Sequence, residues 1–385
     1  MPLVNSFNLK SKIIFGHHSL NELPNAGRNF GPRVMVVTGK RALIRNGIIQ
    51  RVESLLQNSG FSPLRFAEVE PEPSLDTVTK GLRIAREEEI DWIVGIGGGS
   101  AMDVAKTIAG LAQADRELEY YFEGGPLVHP ALPLVTIPTT AGSGAEVTFN
   151  AVLSDLTKKV KKSIRDPRLG AEIAIVDPQL TLGLPPDVTV HSGMDALVQA
   201  IESFTSKGAS PLTDIYAYSA IRRLSANIIK VYQDGQDQEA RAEMAMGSLM
   251  AGIALSNARL GAVHGMAHSI GILSGKPHGL VCAVLLVPVM RFNLAVSFEK
   301  YAEVSKALGL KLLPNIDPID AAAAGMKFIM NLQRKLGIPS HINDLGISEA
   351  DYPTIIQESL NSGSMKANPR DAGPEDLMHI LKGDI

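Results

Sequence analysis

Short unbroken apolar runs alternate with amphipathic stretches through the first half of the chain. Residues 34–38 (VMVVT), 91–96 (DWIVGI), 132–137 and 173–176 read as strands buried on both faces, the mark of a parallel sheet. Residues 64–69 read as a further strand. Residues 47–60, 75–89 and 101–112 repeat apolar positions every three or four residues, as Ile48, Val52, Leu55 and Leu56 do, and read as helices. Strand, helix, strand repeated in this way predicts a doubly wound α/β fold, a Rossmann-like parallel sheet.

After Leu184-Pro185-Pro186 the strand runs disappear. Ile215, Tyr218, Ile221, Leu224, Ile228 and Val231 mark one helix face, and residues 187–206, 239–256, 262–274, 280–295, 321–336 and 350–361 read as further helices. A Pro-Pro pair fits neither a helix interior nor a central strand, so the boundary is set there. The expected organisation is an α/β domain over 1–186 and an all-α domain over 187–385. No internal repeat or low-complexity tract interrupts it.

Charge narrows the class of partner. With 37 Lys+Arg against 40 Asp+Glu the net charge is −3, which offers no electrostatic case for nucleic acid or an anionic membrane. The single cysteine, Cys282, excludes an intrachain disulfide framework. Residues 1–16 lack the apolar core of a secretory signal, and the longest uncharged apolar run, 281–290, contains Pro288 and is about half a membrane span. A cytoplasmic protein is expected. Glycine is in modest excess, 35 of 385 residues, against an average of about 7%; its placement decides what that means.

Gly97-Gly98-Gly99-Ser100 lies directly between an expected strand and an expected helix. Bare backbone lets a phosphate approach closely, and a helix N-terminus offers free N–H groups and the positive end of a dipole. Ser100 is placed to cap that helix. A tight strand-to-helix turn is the plainer reading, but it needs one or two glycines, not three. The G-x-G-x-x-G spacing is absent; Thr38-Gly39-Lys40-Arg41 stands at the first strand end instead. Where a carboxylate usually holds a ribose 2′-hydroxyl there is Gly39, flanked by Lys40 and Arg41, which favours NADP(H) over NAD(H). The loop 138–146 (PTTAGSGAE) is a second candidate for wrapping ribose and phosphates, and the basic run 158–162 reads mainly as a solvated turn.

The helical half holds a third constellation. Asp195 and Gln199 share one helix face, His264 and His268 share another, and His278 follows a Gly275-Lys276-Pro277 turn. Asp, His and His suit divalent iron or zinc, with one position left for a neutral oxygen or water. Two satisfied helix histidines and a turn histidine are the alternative.

Together these segments resemble the iron-containing (group III) alcohol dehydrogenases. The resemblance is carried by Gly97–Lys106 (GGGSAMDVAK), 136–148 (TIPTTAGSGAEVT), 192–197 (SGMDAL), 261–268 (GAVHGMAH) and 276–279 (KPHG), and it runs from about Phe15 to Asn368-Pro369-Arg370. It implies a dehydroquinate synthase-like two-domain architecture with the active site in the cleft. It places the pyrophosphate on Gly97, Gly98, Gly99 and Ser100, with Asp103 in the same motif. Thr139, Thr140 and Ser143 belong to the loop at the adenosine end, and Lys161 is the ribose lysine. It makes Asp195, His264 and His278 ligands to a divalent ion, Fe2+ first and Zn2+ or Mn2+ next, and puts His268 beside the nicotinamide. The family's fourth ligand is usually histidine; here it is Gln199, whose carboxamide oxygen binds iron or zinc less tightly than imidazole.

The expected reaction is reversible hydride transfer between a nicotinamide and a primary alcohol or its aldehyde, with His268 relaying the proton. Arg259, five residues before His264, is a candidate anchor for an anionic substrate tail if the helix extends that far; a surface arginine at a helix start is the plainer reading. A dehydroquinate synthase-like lyase and a metal-free or inactive nucleotide-binding homologue are the alternatives. The resemblance further implies a homo-oligomer.

Overall fold

A computed structural model describes residues 6–158 and 160–384; the first five residues of the N-terminal stretch and Lys159 of the basic run lie outside the described residues. The chain divides into two compact units. One comprises residues 9–140 and 144–183, the other residues 6–8, 141–143 and 184–384.

The first unit contains, in chain order, β1 (Lys12–Phe15), β2 (Arg33–Gly39), β3 (Ser62–Val69), β4 (Trp92–Gly97), β5 (Leu134–Pro138), β6 (Asn150–Asp155), β7 (Val160–Arg165) and β8 (Ile173–Val176). Six of them form one parallel sheet in the order β1-β8-β5-β4-β2-β3. The unbroken apolar runs have a direct cause. Along β2, Val34 and Val36 enter a core on one face with Trp92, Val94 and Ile96, while Met35 and Val37 enter a core on the other with Ile93 and Leu134. Both faces are covered, so no position on these strands can be polar cheaply.

Three helices, Ile48–Gln57, Leu75–Glu87 and Gly99–Leu111, follow β2, β3 and β4. β2 leads outward to β3, whereas β4 leads to β5 on the opposite side, and β2 and β4 are neighbours. Their carboxyl ends, Gly39 and Gly97, therefore flank the point where the winding reverses, the place where open α/β sheets bind ligands.

Two local expectations need correcting, and one strand carries no signal in the sequence. The N-terminal stretch contributes an edge strand, β1, whose four residues are too few and too exposed to show as a run. The basic run is not mainly a turn: Val160–Arg165 pairs antiparallel with β6, so Lys161 and Lys162 sit on a strand. Its lysines hide a short alternation in which Ile164 is the buried position. The third helix begins at Gly99, with Gly98 as its N-cap, so Ser100 lies inside the first turn and does not cap it.

The second unit is helical, built from Pro186–Thr205, Pro211–Gln233, Gln238–Ala258, Ala262–Ser274, His278–Ala307, Pro318–Lys335, Tyr352–Asn361 and Pro374–Lys382 around one core. Pro186 occupies the first helical position, where a missing N–H costs nothing. The helix expected over 280–295 runs instead from His278 to Ala307, through Pro288. One lost hydrogen bond is outweighed by burial of apolar side chains on both sides of the proline. That helix is long and apolar enough to cross a membrane, but 67% of its most apolar window is buried within the protein.

Candidate metal centre and cofactor turn

In the helical unit, three helices bring the candidate ligands together. Asp195 and Gln199 are successive turns of Pro186–Thr205, His264 lies in the first turn of Ala262–Ser274, and His278 opens His278–Ala307. Two glycines make the approach possible. A Cβ on Gly279 would lie 2.0 Å from the His191 carbonyl oxygen and 3.1 Å from Asp195 Cβ, so only a bare backbone lets these two helices meet beside His278. A Cβ on Gly261 would lie 2.8 Å from Asn368 Oδ1 and 2.9 Å from Glu202 Oε1. Asn368 Oδ1 accepts from the Ala262 N–H at 3.0 Å and so fastens the C-terminal segment to the start of the histidine helix.

Asp195 Oδ1 stands 3.3 Å from His264 Nε2 and 3.9 Å from His278 Nε2. Cys282, one turn beyond His278, places its sulfur 3.5 Å from His278 Nε2. The donor atoms of Asp195, His264, His278 and Cys282 all lie within 4.8 Å of one another. Gln199 Nε2 donates to Asp195 Oδ2 at 2.9 Å, and Gln199 Oε1 is a buried acceptor with no hydrogen bond. Asp195 Oδ1 and His264 Nε2 likewise complete no well-formed hydrogen bond. Buried lone pairs left unmade are costly unless something fills the space among them. Carboxylate oxygen, two imidazole nitrogens and a sulfur are the donor set of a divalent transition ion, and the residues present fit one.

A buried carboxylate missing from the sequence reading supports this arrangement. Glu202 Oε2 lies 2.5 Å from His264 Nδ1, and Glu202 Oε1 accepts from the Val263 N–H at 2.7 Å. An Nδ1–H held on a carboxylate points Nε2 at Asp195 and His278, the usual support of a metal-bound histidine. The signal was present in the sequence: Asp195, Gln199 and Glu202 recur at helical spacing on one face.

The charges follow from this crowding. Burial raises the Asp195 carboxyl, but contact with His264 and His278 outweighs it and holds the group below the usual carboxylate range. Burial opposes a charge on His264, yet Cys282, Glu202 and Asp195 together lift its imidazole well above the ordinary value. Burial pushes the Cys282 thiol up to about 11. His268, one turn beyond His264 and half-buried, stacks on the His278 ring with centroids 5.2 Å apart and planes 16° apart. Arg259 is not on the histidine helix, which begins at Ala262. It closes the preceding helix with φ 67°, and its side chain is exposed.

In the sheet unit, Gly97 has φ 149°, and a Cβ there would lie 2.8 Å from Ala101 Cβ. Gly98 has no side chain to cap the helix and the Ala101 N–H returns to the Gly98 carbonyl at 3.1 Å, so the N–H groups of Gly99 and Ser100 are the ones offered to a ligand, and Gly98, Gly99 and Ser100 are only half-buried. Thr139 is tied to this turn, its N–H donating to the Gly97 carbonyl at 2.9 Å, and Thr140 borders Gly98. Gly39 has open space at its Cβ position apart from an ordinary contact with the Val69 carbonyl, and Lys40 and Arg41 are exposed beside it.

Two candidates have protein partners. Asp103 Oδ2 accepts from the Val152 N–H at 3.1 Å, joining the glycine-turn helix to the β6–β7 hairpin, and burial raises its carboxyl to about 6. Lys161 is largely buried and ion-paired with Glu72. Ser143 is not grouped with the glycine turn: residues 141–143 belong to the helical unit, where Gly142 packs on Ser192 and its carbonyl accepts from Ser248 Oγ at 3.2 Å.

Comparison with known proteins agrees with these features. Residues 10–178 match the model of the iron-containing alcohol dehydrogenases, and residues 189–385 match that of the family's C-terminal region. The chain is 37% identical to 1,3-propanediol dehydrogenase of Klebsiella pneumoniae over 93% of its length and 95% of the relative's. It is 33% identical to lactaldehyde reductase of Escherichia coli strain K12, over 98% of this chain and 99% of that one. A crystal structure of a 1,3-propanediol oxidoreductase superposes with a TM-score of 0.95 at 35% identity, covering 99% of this chain and all of that one. The chain thus belongs to the iron-containing alcohol dehydrogenase family of oxidoreductases.

Proposed function

We propose that the protein interconverts a primary alcohol and its aldehyde with a nicotinamide cofactor, and that Asp195, His264 and His278 hold a divalent ion for that reaction. The observation that carries the reading is the convergence of Asp195, His264, His278 and Cys282, whose donor atoms lie within 4.8 Å of one another, with Asp195 Oδ1 and His264 Nε2 buried and without a hydrogen-bond partner. Such an ion supplies Lewis-acid polarisation of the substrate oxygen, and the nicotinamide supplies hydride exchange.

The chain's own residues do the rest. Glu202 fixes the His264 ring, Gln199 fixes Asp195 through its second oxygen, and close packing at Gly279 fixes His278 against both. His268 is half-buried, and its imidazole takes up the alcohol proton and returns it in the reverse direction. Gly97, Gly98, Gly99 and Ser100 receive the pyrophosphate on uncapped N–H groups, with Thr139 and Thr140 at their side. Asp103 ties the glycine-turn helix to the β6–β7 hairpin that carries Lys161, the lysine assigned to a ribose.

Purified protein given an aldehyde and NADPH is expected to consume the NADPH, followed by absorbance. Asp195→Ala is expected to lose bound metal and at least about 100-fold in rate. Full metal content in that variant would refute the ligand set.

The cofactor reading is NADP(H) over NAD(H), supported by Gly39 at the end of β2 with Lys40 and Arg41 exposed beside it. Gly39→Asp fits the open space there and is expected to shift the NADPH:NADH ratio of kcat/KM toward NADH by about 10-fold or more. An unchanged ratio would refute the assignment. A cytoplasmic homo-oligomer completes the reading. Sedimentation measures its order.

A further inference from the structure

We propose that Cys282 is a metal ligand, so that the centre consists of one carboxylate, two imidazoles and one thiolate, with Gln199 holding Asp195 and not filling the fourth position. The inference rests on the reading that this cluster holds a divalent ion. A thiolate is a soft donor, so the centre is built for zinc over the harder manganese.

Three observations converge. Cys282 is fully buried, one helical turn from His278, with its sulfur 3.5 Å from His278 Nε2. Asp195 Oδ1 and His264 Nε2, both more than nine-tenths buried, converge on the same space without a well-formed hydrogen bond. Two of the spacings match a shared ion, while Asp195 Oδ1 to His278 Nε2, at 3.9 Å, is wider and closes on binding. Tetrahedral zinc, with Zn–N near 2.0–2.1 Å and Zn–S near 2.3 Å, sets nitrogen or oxygen donors about 3.3 Å apart and nitrogen and sulfur about 3.6 Å apart. The protein has 3.3 Å between Asp195 Oδ1 and His264 Nε2 and 3.5 Å between His278 Nε2 and Cys282 Sγ.

Gln199 is already engaged with the carboxylate. Its amide nitrogen is committed to Asp195 Oδ2, which orients the carboxylate so that Oδ1 faces the two histidines. The helix face that lacks an imidazole at position 199 is thus matched by a sulfur from the facing helix. On coordination the Cys282 Sγ–H bond breaks, sulfur keeps the electron pair as thiolate, and the proton leaves to solvent.

Cobalt(II) tests this without turnover. Metal-stripped full-length protein reconstituted with one equivalent of Co2+ is expected to show a thiolate-to-cobalt charge-transfer band in the near ultraviolet. Cys282→Ser and Cys282→Ala are expected to bind cobalt without that band, and Gln199→Ala to keep it. Zn2+ affinity is expected to fall by at least about 10-fold in Cys282→Ser, with a smaller change for Mn2+, since even losses of outer supporting groups reach about 10–100-fold. A cobalt protein with full metal and no band would overturn the role of Cys282 and leave the metal site standing. Cobalt binding unaltered by Asp195→Ala would overturn the metal reading itself, and Cys282 with it.

Discussion

Glu202 shows what a single buried side chain contributes to this centre. It lies 62 residues from His264 in the chain, yet its two oxygens hold both the His264 ring and the Val263 N–H. With its Nδ1 held on a carboxylate, the His264 ring has one orientation, so little ring freedom is left to lose on binding an ion. Glu202→Gln keeps an acceptor but removes the charge that strengthens the bond and raises the basicity of the far nitrogen. Metal affinity is expected to fall about 10–100-fold, read by titration with a competing chelator. Unchanged affinity would mean that Glu202 serves only to pack two helices.

At the scale of elements, the helix-to-helix approach at Gly279 is the feature on which the ligand geometry depends. A methyl group there would sit 2.0 Å from a backbone carbonyl, which cannot rotate away as a flexible side chain can. Gly279→Ala is expected to force the Pro186–Thr205 and His278–Ala307 helices apart. A cost of about 1–3 kcal/mol or more follows, with loss of bound metal, measured by thermal unfolding and metal analysis. Wild-type stability and metal content would contradict this.

Such approaches set the limit of what the sequence discloses. The central strands are legible because burial on two faces demands consecutive apolar residues, and the long helices because burial on one face demands a 3.6-residue period. β1 and the β6–β7 hairpin are not, because short, half-exposed strands rich in lysine carry little of either signal. In the site, the Asp195–Gln199 and His264–His268 spacings are readable on single helices. The meeting of Cys282 with Asp195, and of Glu202 with His264, depends on packing between helices that no local pattern encodes.

The two units have separate cores, so thermal unfolding can proceed in two steps, and each step reports on its own buried charges. The sheet unit carries an unusual group: Lys106 and Glu146, both buried, with the partly buried Asp103 beside Lys106. Lys106 is satisfied by Thr148 Oγ1 at 2.7 Å and the Asn150 carbonyl at 3.0 Å, with Asp103 3.9 Å away. Burial raises Glu146 from 4.5 to about 7 and Asp103 from 3.8 to about 6. Between its unfolded and folded values each carboxyl stays protonated in the folded protein and ionises in the unfolded chain. Stability from these groups therefore declines as pH rises, through pH 3.8–6 for Asp103 and 4.5–7 for Glu146, and is level above that. Lys106, lowered by burial from 10.5 to about 8, acts with the opposite slope and only above pH 8. Glu146→Gln removes one ionisation while leaving Lys106 its hydrogen-bond partners. Its unfolding temperature is expected to match wild type near pH 4.5 and to exceed it by about 2–6 °C at pH 8 in the transition of the sheet unit, read by calorimetry. A constant difference between the two proteins at both pH values would show that Glu146 is ionised in the folded state throughout, held by Lys106 as a permanent pair.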